Sequence, residues 1–324
     1  MKHRQRAKPL YQQPNFFVPD DGRPDAILID CDGTITGEEY LPFVVGFTLS
    51  RFLGEKYNHA RFQKVFHENV GGGFDKYYNK YVEASAAAGE DVSGYPNENV
   101  VVSAAVAWYV RLLEKLKTNP DQQLFTIRKG MIHGLQHAAN QGIPLVVVTN
   151  ASPAIVQANL AAAGIYVRGQ VPDDVVPNLV IDAIVNKSDF PDPKKDRKPG
   201  PYPYAEGAPR KLGAILSKKF GHEVVIRPER CIGGEDSRNG HESMLRAMVR
   251  TRIHFGNDRI AQPFTFAVNG LNFATDFVVS KDGMSARAMQ DILNYHAEKM
   301  RKTGQPVHLQ TSRDDLLVQT PTGS

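Results

Sequence analysis

The chain has 324 residues, of which 41% are hydrophobic and 23% charged, a balance typical of globular proteins with one large domain or two. Lysine and arginine outnumber aspartate and glutamate by only 39 to 35, so the charge excludes a broadly basic protein and we expect no nucleic-acid partner. No run reaches the roughly 18–20 apolar residues that cross a bilayer, and the two cysteines favour a reducing compartment, so we expect no membrane partner and a cytoplasmic location.

The first predicted element is a buried strand over 26–30, after a polar, proline-bearing extension at 1–24. The strand ends in two carboxylates one residue apart, Asp30 and Asp32, and a Gly-Thr pair follows. Like charges this close raise one another's pKa, and a divalent cation is the simplest relief. The alternative is a turn whose aspartates only bind backbone amides. The remainder of the chain favours the metal-binding interpretation.

From 38 to 117 the pattern is helical, with aromatic and apolar residues at helix spacing. The strongest helix is predicted over 100–117. Three glycines at 71–73 interrupt the pattern and raise the alternative of a phosphate-binding loop. No Lys-Ser or Lys-Thr pair follows them and no strand precedes them, so we expect a flexible loop between helices.

Strands and helices alternate from Thr126 onward. Strands are predicted at 143–148, 180–185, 229–232, 264–268 and 277–280. Helices are predicted at 127–141, 154–163, within 204–220, 241–252 and 286–300, the second of them opened by a Ser152 cap and Pro153. An Asn-Gly pair between the last two strands fits either a hairpin or parallel strands. The alternation predicts an α/β fold, a Rossmann-like parallel sheet with helices on both faces.

Polar residues follow four of the predicted strands, where each strand ends. They are Asp30 and Asp32, then Thr149 and Asn150, then Lys198, and last Glu235, Asp236 and Ser237. The carboxyl ends of parallel strands meet at one edge of a sheet, where such folds bind ligands. A hydroxyl, a lysine and several carboxylates at one point form a site for a phosphate and a hard cation.

These segments resemble, in the same order, the four motifs of the haloacid dehalogenase-like superfamily of phosphatases and phosphomutases. The matching segments are 27–35, 146–150, 198–201 and 234–240. The resemblance covers roughly 25–36, 125–240 and 264–295. It implies an α/β core at 25–37 and 118–302, an α-helical cap at 38–117, an N-terminal extension at 1–24 and a C-terminal tail at 303–324.

The chemistry and the resemblance predict the same reaction, hydrolysis of a small phosphorylated metabolite. Phosphoryl transfer needs an in-line nucleophile, cations and a proton for the leaving group. Asp30 is the predicted nucleophile, forming an aspartyl-phosphate, and Asp32 the general acid and base. Lys198 is the predicted catalytic cation, because prolines stiffen the chain after it, and Thr149 offers the phosphoryl group a hydroxyl.

The predicted cofactor is Mg²⁺, a hard cation that binds few carboxylates. We expect Asp30 and Asp236 to hold it, with Glu235 directly or through water, and the resemblance adds the backbone carbonyl of Asp32. The predicted substrate-binding residues lie beside the nucleophile and at the start of a helix, where anions bind. They are Gly33, Thr34, Asn150 and Ser152.

Several alternatives stay open. A phosphomutase differs only in what attacks the aspartyl-phosphate, and a non-hydrolytic binding protein would be marked by loss of a carboxylate. A phosphonate hydrolase would need a Schiff-base lysine from the cap, for which the candidates are Lys56, Lys64, Lys76 and Lys80. The aromatic residues at 74, 77, 78 and 81 could line a pocket, but we expect them to pack the cap's own core. The identity of the ester and the oligomeric state are not readable from the residues.

Overall fold

The computed structural model describes residues 23–36, 41–69, 73–118, 129–255, 264–268, 277–279 and 284–301. Most of the predicted extension, the tail and two of the three consecutive glycines lie outside these ranges. The described chain forms two compact units. The α/β unit contains the described residues up to Thr36, 129–150 and everything from Ala163 onward; the helical unit contains 41–118 and 151–162.

The strands are β1 (Ile27–Ile29), β2 (Leu145–Val148), β3 (Ile165–Val167), β4 (Leu179–Ile181), β5 (Ala183–Val185), β6 (Ile232–Glu235), β7 (Phe264–Val268) and β8 (Phe277–Val279). Six of them form one sheet in the order β5-β2-β1-β6-β7-β8, and every neighbouring pair is parallel. The predicted parallel α/β fold is confirmed, and β7 and β8 are parallel neighbours rather than a hairpin.

The helices are α1 (Leu41–Leu53), α2 (His59–Glu68), α3 (Phe74–Ala87), α4 (Glu98–Thr118), α5 (Lys129–Asn140), α6 (Pro153–Ala162), α7 (Ala208–Phe220), α8 (Arg238–Phe255) and α9 (Ala286–Arg301). One cluster of the core joins β1, β2 and β5 to α7 and α8, with Leu28, Val146, Leu212 and Met244 among its members. Ile27, Ile29 and Val147 are buried as well, so the central strands are covered on both faces, as continuous apolar strands require.

The single strand predicted at 180–185 is wrong, because the structure divides it between two sheets. β4 pairs with β3 in a separate two-stranded parallel sheet, whereas β5 pairs with β2. Asp182 lies between them and its buried carboxylate accepts a hydrogen bond from the backbone N–H of Leu145 at 3.0 Å. Arg168 donates to the same carboxylate at 2.8 Å. This ion pair anchors the chain where it passes from one sheet to the other.

The strand predicted at 229–232 is displaced, since β6 begins at Ile232 and continues through two glycines to Glu235. Glycine is depleted in strands, so the sequence pattern ends too early. The packing explains the glycine, because a Cβ on Gly233 would lie 2.0 Å from the Sδ atom of Met244 in α8. Glu235 is consequently the last residue of a buried strand rather than part of the loop after it.

The helical unit contains α1–α4 and also α6, which the sequence alone assigned to the α/β core. Ile155 of α6 is buried among the apolar residues of this unit, and the hydroxyl of Tyr109 in α4 donates to Asn159 in α6 at 2.7 Å. The four aromatic residues from the start of α3 to Tyr81 are all buried in the same cluster. They pack the core of the helical unit, as expected.

Candidate active site

The turn after β1 places the first carboxylate and reverses the chain within a few residues. The backbone N–H of Asp30 still binds Gly234 of β6 at 2.9 Å, and the Asp30 side chain is 8% exposed. Gly33 has a φ of +83°, and a Cβ there would lie 1.8 Å from Oδ2 of Asp236. Only glycine allows this turn and this close approach. The structure therefore gives Gly33 a steric role beside Asp236.

Lys198 lies at the centre of the site and is 5% exposed. Its Nζ atom donates to Oδ1 of Asp30 at 2.6 Å, to the backbone oxygen of Val148 at 2.6 Å and to Oε1 of Glu235 at 2.5 Å. Three acceptors match the three N–H donors of an ammonium group. Lys194 and Lys195, in the same loop, are exposed. The lysine that the sequence favours is the one that contacts the predicted nucleophile.

Glu235 has partners that sequence reasoning missed. The hydroxyl of Tyr204 donates to the Oε1 atom that also accepts from Lys198, and Ser237 donates to Oε2 at 3.3 Å. Tyr204 lies in a single turn of π-helix, Pro203–Gly207, six residues after the lysine. The sequence offers one indication of this contact, a tyrosine in the loop that carries Lys198. Glu235 is thus held at both oxygens.

The electrostatics fix the protonation of several groups. Burial disfavours the ammonium of Lys198, but the carboxylates of Asp30 and Glu235 outweigh it and raise the pKa of Lys198 well above its usual value. Burial and then the negative charge of Glu235 raise the pKa of Tyr204. Burial, with Asp32 and Asp30 next, raises the pKa of the Cys31 thiol. Lys198 is therefore charged, and Cys31 is a protonated thiol unsuited to act as a nucleophile.

Three carboxylates converge beside Lys198. Asp30, Glu235 and Asp236 each bring an oxygen within 4.8 Å of the others' oxygens. The hydroxyl of Thr34 contacts Oδ1 of Asp236 at 3.3 Å and Oδ2 of Asp30 at 3.5 Å. Lys198 pairs with Asp30 and Glu235, and burial with the charge of Asp30 raises the pKa of Glu235 to about 7. Three carboxylate oxygens this close together are hard ligands that fit a divalent cation.

Asp32 is directed toward a different neighbour. The hydroxyl of Thr149 lies 3.5 Å from Oδ2 of Asp32, and the backbone N–H of Thr149 binds Val185 at 2.9 Å. The side chain of Asp32 does not belong to the metal-binding group found among the described residues. The structure therefore brings Asp32 and Thr149 together, as the sequence predicted, at the carboxyl ends of β1 and β2.

Asn150 has a different contact from the one predicted. Its Oδ1 accepts from the backbone N–H of Lys198 at 2.9 Å, and its Nδ2 donates to the backbone oxygen of Lys198 at 3.1 Å. This reciprocal pair engages the amide that the sequence assigned to the phosphoryl group. In the structure Asn150 positions the loop that carries Lys198, whose peptide bond to Pro199 is cis.

Ser152 belongs to the helical unit rather than to the unit that contains the site. Its hydroxyl is buried and forms no hydrogen bond with any residue in the described part of the chain, so the predicted helix cap is wrong. Of the lysines considered for a Schiff base, Lys64 and Lys80 are exposed and lie beside Glu68 and Glu83. These residues belong to the helical unit, whereas Lys198 belongs to the α/β unit.

The chain matches a known protein family. A family model described as a haloacid dehalogenase-like hydrolase matches residues 24–248, well over half of the chain and all four polar segments. The chain belongs to the haloacid dehalogenase-like hydrolase family. The predicted family is confirmed, and so is its general class of activity, a hydrolase.

Solved structures agree with the fold of this hydrolase. A phosphonoacetaldehyde hydrolase-like protein from Oleispira antarctica is 15% identical with a TM-score of 0.54, and the alignment covers 88% of this chain and 97% of that one. A protein described as a predicted phosphoglycolate phosphatase from Haemophilus somnus is 17% identical with a TM-score of 0.50, covering 84% and 97%. At these identities the likeness concerns the fold alone. No curated protein matches the sequence.

The structure of the hydrolase adds one finding on membranes. Among its described helices, none is both long and apolar enough to span a bilayer.

Proposed function

We propose that this hydrolase is a Mg²⁺-dependent phosphatase of small phosphorylated metabolites that acts through an aspartyl-phosphate on Asp30. The observation that carries the proposal is the cluster at the ends of β1 and β6. There Asp30 lies 2.6 Å from a buried ammonium group and within 4.8 Å of two further carboxylates. An anionic nucleophile beside a cation and a candidate metal site is the arrangement that phosphoryl transfer requires.

In the first proposed step a carboxylate oxygen of Asp30 forms a bond to phosphorus, and the bond from phosphorus to the ester oxygen breaks. Asp32 donates a proton to the leaving alkoxide. In the second step Asp32 takes a proton from water, whose oxygen attacks the phosphorus of the aspartyl-phosphate. The bond between phosphorus and the Asp30 oxygen breaks, inorganic phosphate leaves, and Asp30 is again a carboxylate while Asp32 again carries its proton.

Lys198 serves both states of Asp30 in this proposal. The hydrogen bond from Lys198 to Oδ1 fixes the Asp30 carboxylate before attack. The other oxygen, Oδ2, lies beside the hydroxyl of Thr34. During transfer the ammonium offsets negative charge on the phosphoryl oxygens, and such preorganised charge is commonly the largest catalytic contribution. Thr149 lies beside Asp32 and offers its hydroxyl to the same phosphoryl oxygens.

The carboxylates of Asp30 and Asp236 would hold Mg²⁺, with Glu235 direct or through water and the Asp32 carbonyl added by family resemblance. The bound ion supplies positive charge against the anionic phosphate ester. Gly33 supports this assignment, since its missing Cβ is what lets Asp236 approach the turn after β1. We further propose that the helical unit is the cap of this enzyme. We also propose that the enzyme is cytoplasmic.

The test is phosphate release from a panel of small phosphate esters, with and without Mg²⁺. We expect metal-dependent turnover that falls roughly 10³-fold or more in Asp30→Asn, because the nucleophile is lost. Asp173→Asn is the matched control, since it makes the same change at an exposed position of the α/β unit, and it should retain full turnover. Unchanged phosphate release in a folded Asp30→Asn protein would refute the mechanism.

A further inference from the structure

Tyr204 is a buried polar group at the site that the proposed chemistry leaves unused. It is 2% exposed, and its hydroxyl donates to Oε1 of Glu235. Its ring also lies against Lys198, with the Nζ atom 5.3 Å from the ring centroid. Tyr204 therefore touches both partners of the ion pair between Lys198 and Glu235, but it contacts neither Asp30 nor Asp236 by any described hydrogen bond.

The two hydrogen bonds to Oε1 determine how the Glu235 carboxylate is oriented. Oε1 accepts from both Tyr204 and Lys198, whereas Oε2 has the weaker contact with Ser237 at 3.3 Å. Gly240 of α8 leaves room for this carboxylate, since a Cβ there would lie 1.9 Å from the carboxyl carbon of Glu235. Oε2 is therefore the oxygen less committed to protein donors.

Without the tyrosine hydroxyl, the geometry would change. Oε1 would keep one strong donor, and the carboxylate could rotate so that either oxygen meets Lys198. A flexible ligand binds a metal less tightly than a fixed one, and loss of such an outer hydrogen bond typically weakens metal affinity by 10- to 100-fold. A phenylalanine would keep the ring beside Lys198 and remove only the donor.

We propose that Tyr204 is a positioning residue: together with Lys198 it fixes Oε1 of Glu235 and so holds this carboxylate in place for a divalent cation. The inference rests on the proposed function, since it assigns Glu235 a share in holding the metal. It adds a residue from the loop after Lys198 to the metal site, so one short segment controls both the cation of the protein and the carboxylate that faces the ion.

The test is a calorimetric titration of the metal-free protein with Mg²⁺ alone, in the absence of any ester. Tyr204→Phe should weaken Mg²⁺ binding by about 10-fold relative to the unmodified protein. Tyr202→Phe is the matched control, because it deletes a hydroxyl two residues earlier in the same loop, where the ring packs on Phe190. It should bind Mg²⁺ as tightly as the unmodified protein, because its hydroxyl does not contact Glu235.

The outcomes separate the two proposals. Equal Mg²⁺ affinity of Tyr204→Phe and Tyr202→Phe would overturn the role of Tyr204 and leave the proposed phosphatase intact. A Tyr204→Phe protein that fails to fold, judged by circular dichroism, would also overturn it, since the hydroxyl would then serve the fold itself. No Mg²⁺ binding by the unmodified protein would remove the metal from the proposed function, and this role with it.

Discussion

The α/β unit and the helical unit bury different kinds of polar side chain. In the α/β unit, buried ionisable groups include Asp30, Lys198 and Glu235, which contact one another. In the described part of the helical unit, the buried polar side chains are neutral: Thr48, Ser85 and Asn159. Its largest buried side chains are aromatic, among them Tyr77 and Tyr81.

The difference shows that the α/β unit buries the charged groups of the candidate site, whereas the helical unit does not bury charge in its described part. A buried charge is stabilising only while its partners are in place, so the α/β unit depends on a network at one edge of its sheet. The aromatic core of the helical unit gains its stability from apolar area, with single hydrogen bonds satisfying the polar tips. The two units should therefore respond differently to substitution, to Mg²⁺ and to pH.

The largest expected effect is that of Lys198→Met. Removal of the ammonium leaves two buried carboxylates facing each other, and loss of one partner of a buried pair typically costs about 3–5 kcal/mol of unfolding free energy. Mg²⁺ should restore part of this loss, because it binds the folded site. Amide hydrogen exchange in β1 and β2, with and without Mg²⁺, measures the effect.

Lys195→Met is the control for this prediction. The Lys195 side chain is 85% exposed and 3.7 Å from Asp192, so its replacement should cost less than about 0.5 kcal/mol. Equal exchange rates in the two variants would contradict the prediction that Lys198 stabilises the buried carboxylates of Asp30 and Glu235.

A smaller effect is expected for Tyr81→Phe in the helical unit. The Tyr81 hydroxyl accepts a hydrogen bond from the backbone N–H of Asn58, the residue that caps α2, at 2.7 Å. Its loss should cost about 1 kcal/mol, the usual net value of one hydrogen bond. Trp108, the sole tryptophan, lies in α4 and reports urea unfolding of this unit by its fluorescence.

Mg²⁺ should not change the cost of Tyr81→Phe, since no carboxylate of the candidate metal site lies in the helical unit. A cost that varied with Mg²⁺ would contradict the contrast between the two units.

An effect confined to alkaline pH is expected through Tyr57. Burial, with the nearby Tyr81 as a second cause, raises the pKa of Tyr57 to about 12. The unfolded chain ionises near the ordinary value of about 10, so the folded state holds more protons between these values. The contribution to stability is complete below pH 10 and is lost as the pH rises toward 12. Unfolding followed at Trp108 should show a shallower alkaline decline in Tyr57→Phe; an unchanged slope would count against it.

The sequence predicted the parts of the fold that local pattern determines. β1, β2 and most helices lie within a few residues of the predicted positions, because apolar periodicity and length identify them. The lysine was also identifiable among its neighbours, since the prolines after Lys198 mark an ordered loop. These features depend on residues close together in the chain.

Other features depend on contacts that sequence order does not reveal. The end of β6 was misplaced because Gly233 serves the packing of Met244, not strand propensity. Asn150 was assigned to substrate, although its amide is matched to the backbone of Lys198, 48 residues away. Tyr204 was missed because a tyrosine in a loop has no distinguishing pattern until Glu235 is placed beside it.

The helical unit takes α6 from a separate part of the chain, and this has a consequence for protein engineering. The segment between β1 and α5 looks like a module that could be exchanged as one insertion. Such a transplant would leave α6 behind and with it the acceptor for Tyr109, Asn159, which is fully buried. A chimera made by this single exchange would combine four helices from one parent with a fifth shaped for another. Grafting a different helical unit onto this hydrolase therefore requires two coordinated replacements, the second beginning immediately after Asn150.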